Sequence, residues 1–342
     1  MKRFLSLSIL LAVVLSGCVA GQKTPERKQY TATFLTLFDT VTTIVGKADS
    51  QEEFTEKAQA VHDELLEYHR LFDIYKDYDG LNNLKTVNDA AGGTPVAVDR
   101  RIIDLLLSCR EYCELTGQRV NPAMGSVLRL WHEARNNGID DPVNAQLPQQ
   151  EKLETAAKHM DFDAVIIDEE KGTVCITDPN VRLDVGAVAK GWSVEQVAKN
   201  APKGLLISVG GNVCATGPKD EAGTPWVVGI QNPDGGDAYL HTIYVTSGSV
   251  VTSGDYQRNF AVDGKLYHHI IDPDTLYPST YWRSVTIVCP DSGLADALST
   301  ALFLLPQAEG QALLDKCGAE AMWVDGEGRI LYSPGFEELI RT

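Results

Sequence analysis

Strand-like and helical segments follow one another along this chain of 342 residues without a regular β-α alternation. That order is the strongest constraint on its fold. A doubly wound parallel sheet needs a crossover helix between successive strands, whereas mixed runs of strands and helices predict an α+β fold. We therefore expect mixed or antiparallel sheets with packed helices. The segment 30–48, YTATFLTLFDTVTTIVGKA, alternates and is rich in Thr, Val and Phe, and reads as a strand. Residues 51–71 repeat apolar side chains at helical spacing, in Phe54, Ala58, Val61 and Leu65. Segment 75–93 is turn-rich, and helices are expected over 99–115, 121–135 and about 149–159. Paired strands follow at 164–177, then a helix at about 188–199 and a strand over 204–217. Further strands are expected at 239–246, 250–253, around 259–271 and at 284–290. Two helices, 293–305 and 308–318, precede a closing hairpin at 320–333.

The N-terminus gives an address. Lys2 and Arg3 precede an apolar run, 4–15, that is too short to span a bilayer as a stable helix. It ends in Leu15-Ser16-Gly17-Cys18, which resembles a bacterial lipobox. The expectation is a signal peptide over 1–17, lipidation at Cys18 and a mature chain of 342 − 17 = 325 residues. The polar stretch 18–29 is expected to be a flexible tether, and 30–342 one catalytic region. The protein would then sit on the extracytoplasmic side of a bacterial cell membrane, held by lipid. A net charge of −17 argues against nucleic acid and against electrostatic adhesion to anionic lipid. An anionic ligand would need a local basic or metal site. Six cysteines beyond Cys18 show no C-x-x-C and no zinc spacing, and read as free thiols behaving as small apolar residues, with a disulfide open to an exported chain but assigned to no pair.

Four stretches concentrate polar and small residues. In RLDVGAVAKGW, Asp184 and Gly186 precede a helix whose N-terminus favours anions, with Lys190 on its first turn. SVGGN places Gly210, Gly211 and Asn212 after an apolar run. In LYHHIIDPDTLYP, His268 and His269 are adjacent, so in a strand they face opposite ways. One could transfer a proton while the other is structural. In ADALSTALF, Asp296 and Thr300 are i and i+4 and share a helix face, a hard-oxygen pair suited to Mg²⁺. Each stretch also fits a structural role: a helix cap, a tight turn, a core Thr bonded to its own backbone.

Taken in order, LFDT, VNPAMGSVLRLW, LDVGAVAKGW, SVGGN, TSGDYQRNF, HHIIDP and ADALSTALF resemble the ApbE family of FAD:protein FMN transferases, over about residues 30–335. The resemblance implies FAD in a central cleft, cleaved at its pyrophosphate with release of AMP. FMN is then joined by a phosphoester to a Thr or Ser of an exported FMN-binding protein of an electron-transfer system. It implies Mg²⁺ on the Ala187 carbonyl, Asp296 and Thr300, with Ser299 nearby, and His269 as the base for the acceptor hydroxyl. Asp184, Lys190, Tyr75 and Ile271 match flavin contacts. Asn121 stands where the family has a carboxylate, and Phe38-Asp39-Thr40 where it has Met-Gly-Thr, so Phe38 joins the expected flavin site. Leu276 replaces a glycine in the Asp-Pro turn. Two rival functions use the same residues: a FAD pyrophosphatase releasing FMN and AMP, and a non-enzymatic flavin-binding lipoprotein. A Rossmann oxidoreductase is disfavoured, since no G-x-G-x-x-G follows a strand.

Overall fold

The computed structural model describes residues 27–341. The expected signal peptide, Cys18 and most of the tether fall outside them. The last two tether residues, Lys28 and Gln29, already belong to the first strand, β1 (Lys28–Leu37). β2 (Thr40–Ala48) returns antiparallel to it. The helices α1 (Gln51–Phe72), α2 (Leu84–Asp89) and α3 (Arg100–Leu115) follow, with a short β3 (Val96–Ala97) between the last two. Next come α4 (Gly125–Asp140), α5 (Gln150–Ala157), the pair β4 (Val165–Asp168) and β5 (Thr173–Ile176), and α6 (Ala189–Asn200). The hairpins β6 (Leu205–Val209) with β7 (Asn212–Ala215), and β8 (Trp226–Gln231) with β9 (Tyr239–Val245), lead to β10 (Gly248–Gly254). After β11 (Phe260–Val262) and β12 (Lys265–Tyr267), the chain closes with β13 (Ser284–Cys289), α7 (Ser292–Phe303), α8 (Gln307–Cys317), β14 (Glu320–Val324) and β15 (Ile330–Tyr332).

Eight strands form one sheet in the order β1-β2-β6-β7-β10-β13-β14-β15, and each neighbouring pair is antiparallel. The α+β expectation holds, and among the described residues the named strands pair antiparallel throughout. One face carries α1, α6 and α7 over Ile44, Ile207, Val209, Val251 and Ile287. The other is covered by the β8–β9 hairpin, whose Trp226, Val228 and Ile243 pack on Val250, Met322 and Val324. Coverage on both faces explains why β13 reads as a nearly continuous apolar run instead of an alternating one. A third cluster joins α4 and α5 to β11 through Trp131, Leu153 and Phe260. Among the described residues no helix is long and apolar enough to cross a membrane.

Several expectations change. Segment 30–48 is a hairpin, not one strand, because Phe38 and Asp39 both turn left-handed (φ 51° and 52°). Two left-handed residues are what a two-residue hairpin turn demands. A Phe there costs about 1–2 kcal/mol, so propensity hides the turn. Segment 204–217 is likewise a hairpin, turning at Gly210 and Gly211 (φ 54° and 94°). The turn-rich stretch 75–93 contains α2, started by an Asn83–Thr86 capping box. The helix expected from Asn121 begins at Gly125, since the Asn121 side chain accepts from Ala123 N (2.8 Å) and holds 121–124 as a turn. His268 and His269 lie just beyond β12 and not inside a strand. The six cysteines are free thiols, four of them buried.

The closest helix contact is between α6 and α7. A Cβ on Gly191 would lie 2.3 Å from the Ser292 carbonyl oxygen and 2.4 Å from the Asp296 Cβ. Gly191→Ala should therefore push the helices apart and destabilise the protein by about 1–3 kcal/mol, read as a lower urea midpoint. An unchanged midpoint would show that the contact yields freely.

Candidate active site

At one end of the sheet the hairpin turns, the last residues of β10, the start of α6 and the body of α7 surround a cavity of about 490 Å³. That volume is typical of small-molecule sites. The two hairpin turns lie against each other, and a Cβ on Gly210 would stand 2.5 Å from the Thr40 hydroxyl oxygen. Glycine is needed there both for its positive φ and for that approach.

The floor is made by α6 and α7. Asp296 is only 3% exposed and is not a helix-start residue; Asp291 caps α7 by accepting from Leu294 N (2.8 Å). One Asp296 oxygen accepts the Gly191 N–H (2.8 Å), and Lys190 Nζ stands 3.5 and 3.4 Å from the two oxygens. Because Gly191 N–H goes to Asp296, the Ala187 carbonyl one turn back has no hydrogen-bond partner among the described residues. Ser299 bonds back to the Asp296 carbonyl (2.9 Å) and to Ser253 (2.8 Å). Thr300, which borders the cavity, makes no side-chain hydrogen bond among the described residues. The back-bonded core hydroxyl is thus Ser299, and Thr300 is the one left open. A carboxylate, a hydroxyl and an uncommitted carbonyl form a hard-oxygen set that fits Mg²⁺. Among the described residues no three His, Cys, Asp or Glu side chains gather as a metal cluster, so such a site would draw mainly on neutral oxygens.

The two histidines separate in role. His268 donates from Nε2 to the Ser279 carbonyl (2.8 Å) and accepts the Ile270 N–H at Nδ1 (3.2 Å), which fixes it as a neutral structural group. His269 borders the cavity, and its Nδ1 is buried without a partner. Burial above all, then the positive charges of Arg258, Lys190 and Arg135, hold its pKa down to about 3, so it is neutral at pH 7. The charge repelling a proton from His269 is the charge an anionic ligand would meet.

Asp184 accepts the Gly186 N–H (2.9 Å) and faces the cavity. Tyr75 exposes much of its ring at the mouth, and its hydroxyl bonds His132 Nδ1 (2.7 Å). Phe38 sits in the wall, its N–H held by His69 (3.2 Å) and its carbonyl by Arg258 (3.3 Å). Ile271 is a buried wall residue. Asn121 also borders the cavity, but its amide is committed to Met160 and Ala123, so it braces the turn and offers little to a ligand. Leu276 takes the left-handed conformation (φ 62°) that a glycine would, and its carbonyl accepts from Trp131 Nε1 (3.0 Å). The turn around Asp272 is therefore kept despite the substitution. The sequence motifs give no role to Arg258 or His132, although Arg258 lies inside TSGDYQRNF; Asn212 belongs to the SVGGN stretch, which places it near a ligand without assigning it a contact. Asn212 borders the cavity with a buried amide nitrogen that has no partner, a donor kept for something in the cavity.

The match to the family model for "ApbE family" runs over residues 38–323. The chain belongs to the ApbE family. It is 35% identical over 278 residues to the FAD:protein FMN transferase of Treponema pallidum, covering 76% of this chain and 75% of that one. It is 32% identical to one from Klebsiella pneumoniae, over 74% and 79% of the two chains. Among solved structures, the ApbE protein of Thermotoga maritima superposes with a TM-score of 0.80 at 30% identity, over 92% of this chain and all of that one. The flavin transferase ApbE of Vibrio cholerae, at 21% identity, has a TM-score of 0.73 and shares the fold. Across the ApbE fold of this chain, the seven sequence stretches that carried the resemblance meet around or beside one cavity.

The lowered pKa of His269 has a thermodynamic consequence. Between about pH 3 and 6.5 the unfolded chain takes up a proton at this position that the folded chain refuses, so stability is lost as pH falls through that window. His269→Gln removes the penalty. Its stability relative to wild type, from urea melts at pH 7 and pH 4.5, should shift in the variant's favour at the lower pH. A pH-independent difference would place the His269 pKa near its ordinary value.

Proposed function

We propose that the protein is a Mg²⁺-dependent FAD:protein FMN transferase. In this reading it is anchored by lipid at Cys18 on the extracytoplasmic face of the membrane and acts on exported FMN-binding proteins. The observation that carries the reading is the meeting of Asp296, Thr300, Lys190 and His269 on one cavity in a chain of the ApbE family. Storage of flavin would need neither a buried carboxylate beside an uncommitted carbonyl nor a neutral histidine. The unpartnered donor of Asn212 and the cationic neighbourhood of Arg258 and Lys190 suit the polar and anionic parts of FAD.

The chemistry needs three things: neutralised phosphate charge, a fixed approach line, and a proton acceptor for the incoming hydroxyl. Mg²⁺ held by Asp296, Thr300 and the Ala187 carbonyl would supply charge neutralisation on the diphosphate. Lys190 and the N-terminal end of the α6 dipole add positive potential at the same point. His269, neutral at pH 7, has a lone pair for the Thr or Ser proton as that oxygen bonds to the FMN phosphorus. The bridging P–O bond breaks and AMP leaves with the oxygen. Burial is the main cause of the low His269 pKa; an incoming diphosphate would offset the lesser contribution of the nearby positive charges. Tyr75 and Phe38 offer aromatic faces at the mouth and in the wall.

Incubation with FAD, Mg²⁺ and an FMN-binding acceptor domain should give covalent flavin fluorescence on the acceptor in a denaturing gel. Release of FMN and AMP alone, with no labelled acceptor, would identify a pyrophosphatase instead. Asp296→Ala should abolish turnover. His269→Ala should lower the transfer rate by about 10²–10⁴-fold while FAD still binds. Transfer at the wild-type rate in either variant would remove that residue from the mechanism.

A further inference from the structure

The carboxylate assigned to the cation is already engaged. Among the described residues Asp296 has one cationic partner, Lys190, whose Nζ lies at nearly equal distance from both carboxylate oxygens, 3.5 and 3.4 Å. The carboxylate is almost fully buried, and a buried charge without a partner is costly. The ammonium thus serves as the resident counter-ion of a group that cannot turn to water. A divalent cation on Asp296 would bring two further positive charges to within a few ångströms of Lys190. Like charges so close repel strongly in a partly buried setting. Lys190 has somewhere to go only when another anion is near. It sits on the first turn of α6, its side chain is partly exposed, and it borders the cavity. A long flexible stem with three donors can turn from Asp296 to a diphosphate without moving the helix.

We infer that Lys190 is an internal competitor for the divalent cation, so that cation and FAD bind this protein as a coupled pair. This deepens the transferase reading and rests on its cation site. FAD draws the ammonium away from Asp296 and opens the carboxylate to the cation. A bound cation, by the reciprocity of binding free energies, tightens FAD. Neither ligand alone meets a fully prepared site. A catalytic carboxylate kept neutralised in this way discriminates against cations arriving without substrate. Gly191 fixes the geometry of the exchange, because its N–H holds one Asp296 oxygen in place whichever cation lies beside the carboxylate.

The test measures Mn²⁺ binding to the full-length protein by electron paramagnetic resonance, without any nucleotide. Lys190→Met should bind Mn²⁺ about tenfold more tightly than wild type or better, because the competing charge is gone. Lys190→Arg keeps the charge and should bind as weakly as wild type. In chelator, Lys190→Met should also melt at a lower temperature than wild type, and Mn²⁺ should restore more of its melting temperature. If Lys190→Met does not fold in chelator, Lys190→Gln carries the same expectation. Equal Mn²⁺ affinity in the charged and uncharged variants would overturn the inference while leaving the cation site standing. Tight binding by Lys190→Arg would overturn it too, by tracing the effect to side-chain shape. Mn²⁺ that binds none of the proteins would overturn both the inference and the cation site beneath it.

Discussion

A carboxylate buried between two helices sets the terms for the rest of this molecule. Asp296 is reached there by a backbone N–H and an ammonium, and both come from adjacent positions on α6. For the N–H of Gly191 to arrive, α6 must approach α7 more closely than any side chain allows. That approach seats α6 and α7 side by side on one face of the sheet, α6 over β6 and β7 and α7 over β10 and β13. It also takes the Gly191 N–H away from the Ala187 carbonyl, which is left without a partner among the described residues. One short hydrogen bond thus links helix packing, electrostatic balance and the only uncommitted backbone oxygen assigned a chemical role.

The sheet imposes a second constraint from the other side. Its antiparallel order sends consecutive strands back and forth, so turns gather at each end. At the cavity end two of those turns are left-handed and pressed together, one built from glycines and one from Phe38 and Asp39. A hairpin made of glycine is inexpensive. One made of Phe and Asp is strained, and the strain is held by His69 and Arg258 on the Phe38 backbone. Backbone strain of this kind gathers where a wall must keep a particular shape.

Much of this was legible in the sequence, for physical reasons that differ by element. The α+β class followed from the order of strands and helices. α1 and α7 followed from apolar spacing, and Asp296 and Thr300 from the i, i+4 rule applied to a helix with few other polar groups. What stayed hidden depended on backbone angles and on contacts far apart in the chain. The turn at Phe38-Asp39 hid because its residues disfavour the conformation they adopt. Asn121 matches a flavin contact of the family, yet its side chain is engaged by the distant Met160 carbonyl and by the Ala123 N–H of its own turn. The separation of Ser299 from Thr300 needed coordinates, since both are hydroxyls on one helix and only packing decides which is spent. Arg258 and His132 act on the cavity through side chains whose reach no local pattern reveals.

The cavity wall also bears on how the protein comes to exist. Its residues run from Phe38 in the first hairpin to Leu304 just past α7, drawn from several well-separated segments between them. No fragment of the chain contains the site. The pairings that bring its parts together, such as β2 with β6 and β10 with β13, join residues thirty or more positions apart. Contacts of that kind carry a large loop-closure cost and form late. Affinity for flavin therefore arises only when folding is complete, and a partly folded or truncated chain has no site with which to sequester the ligand.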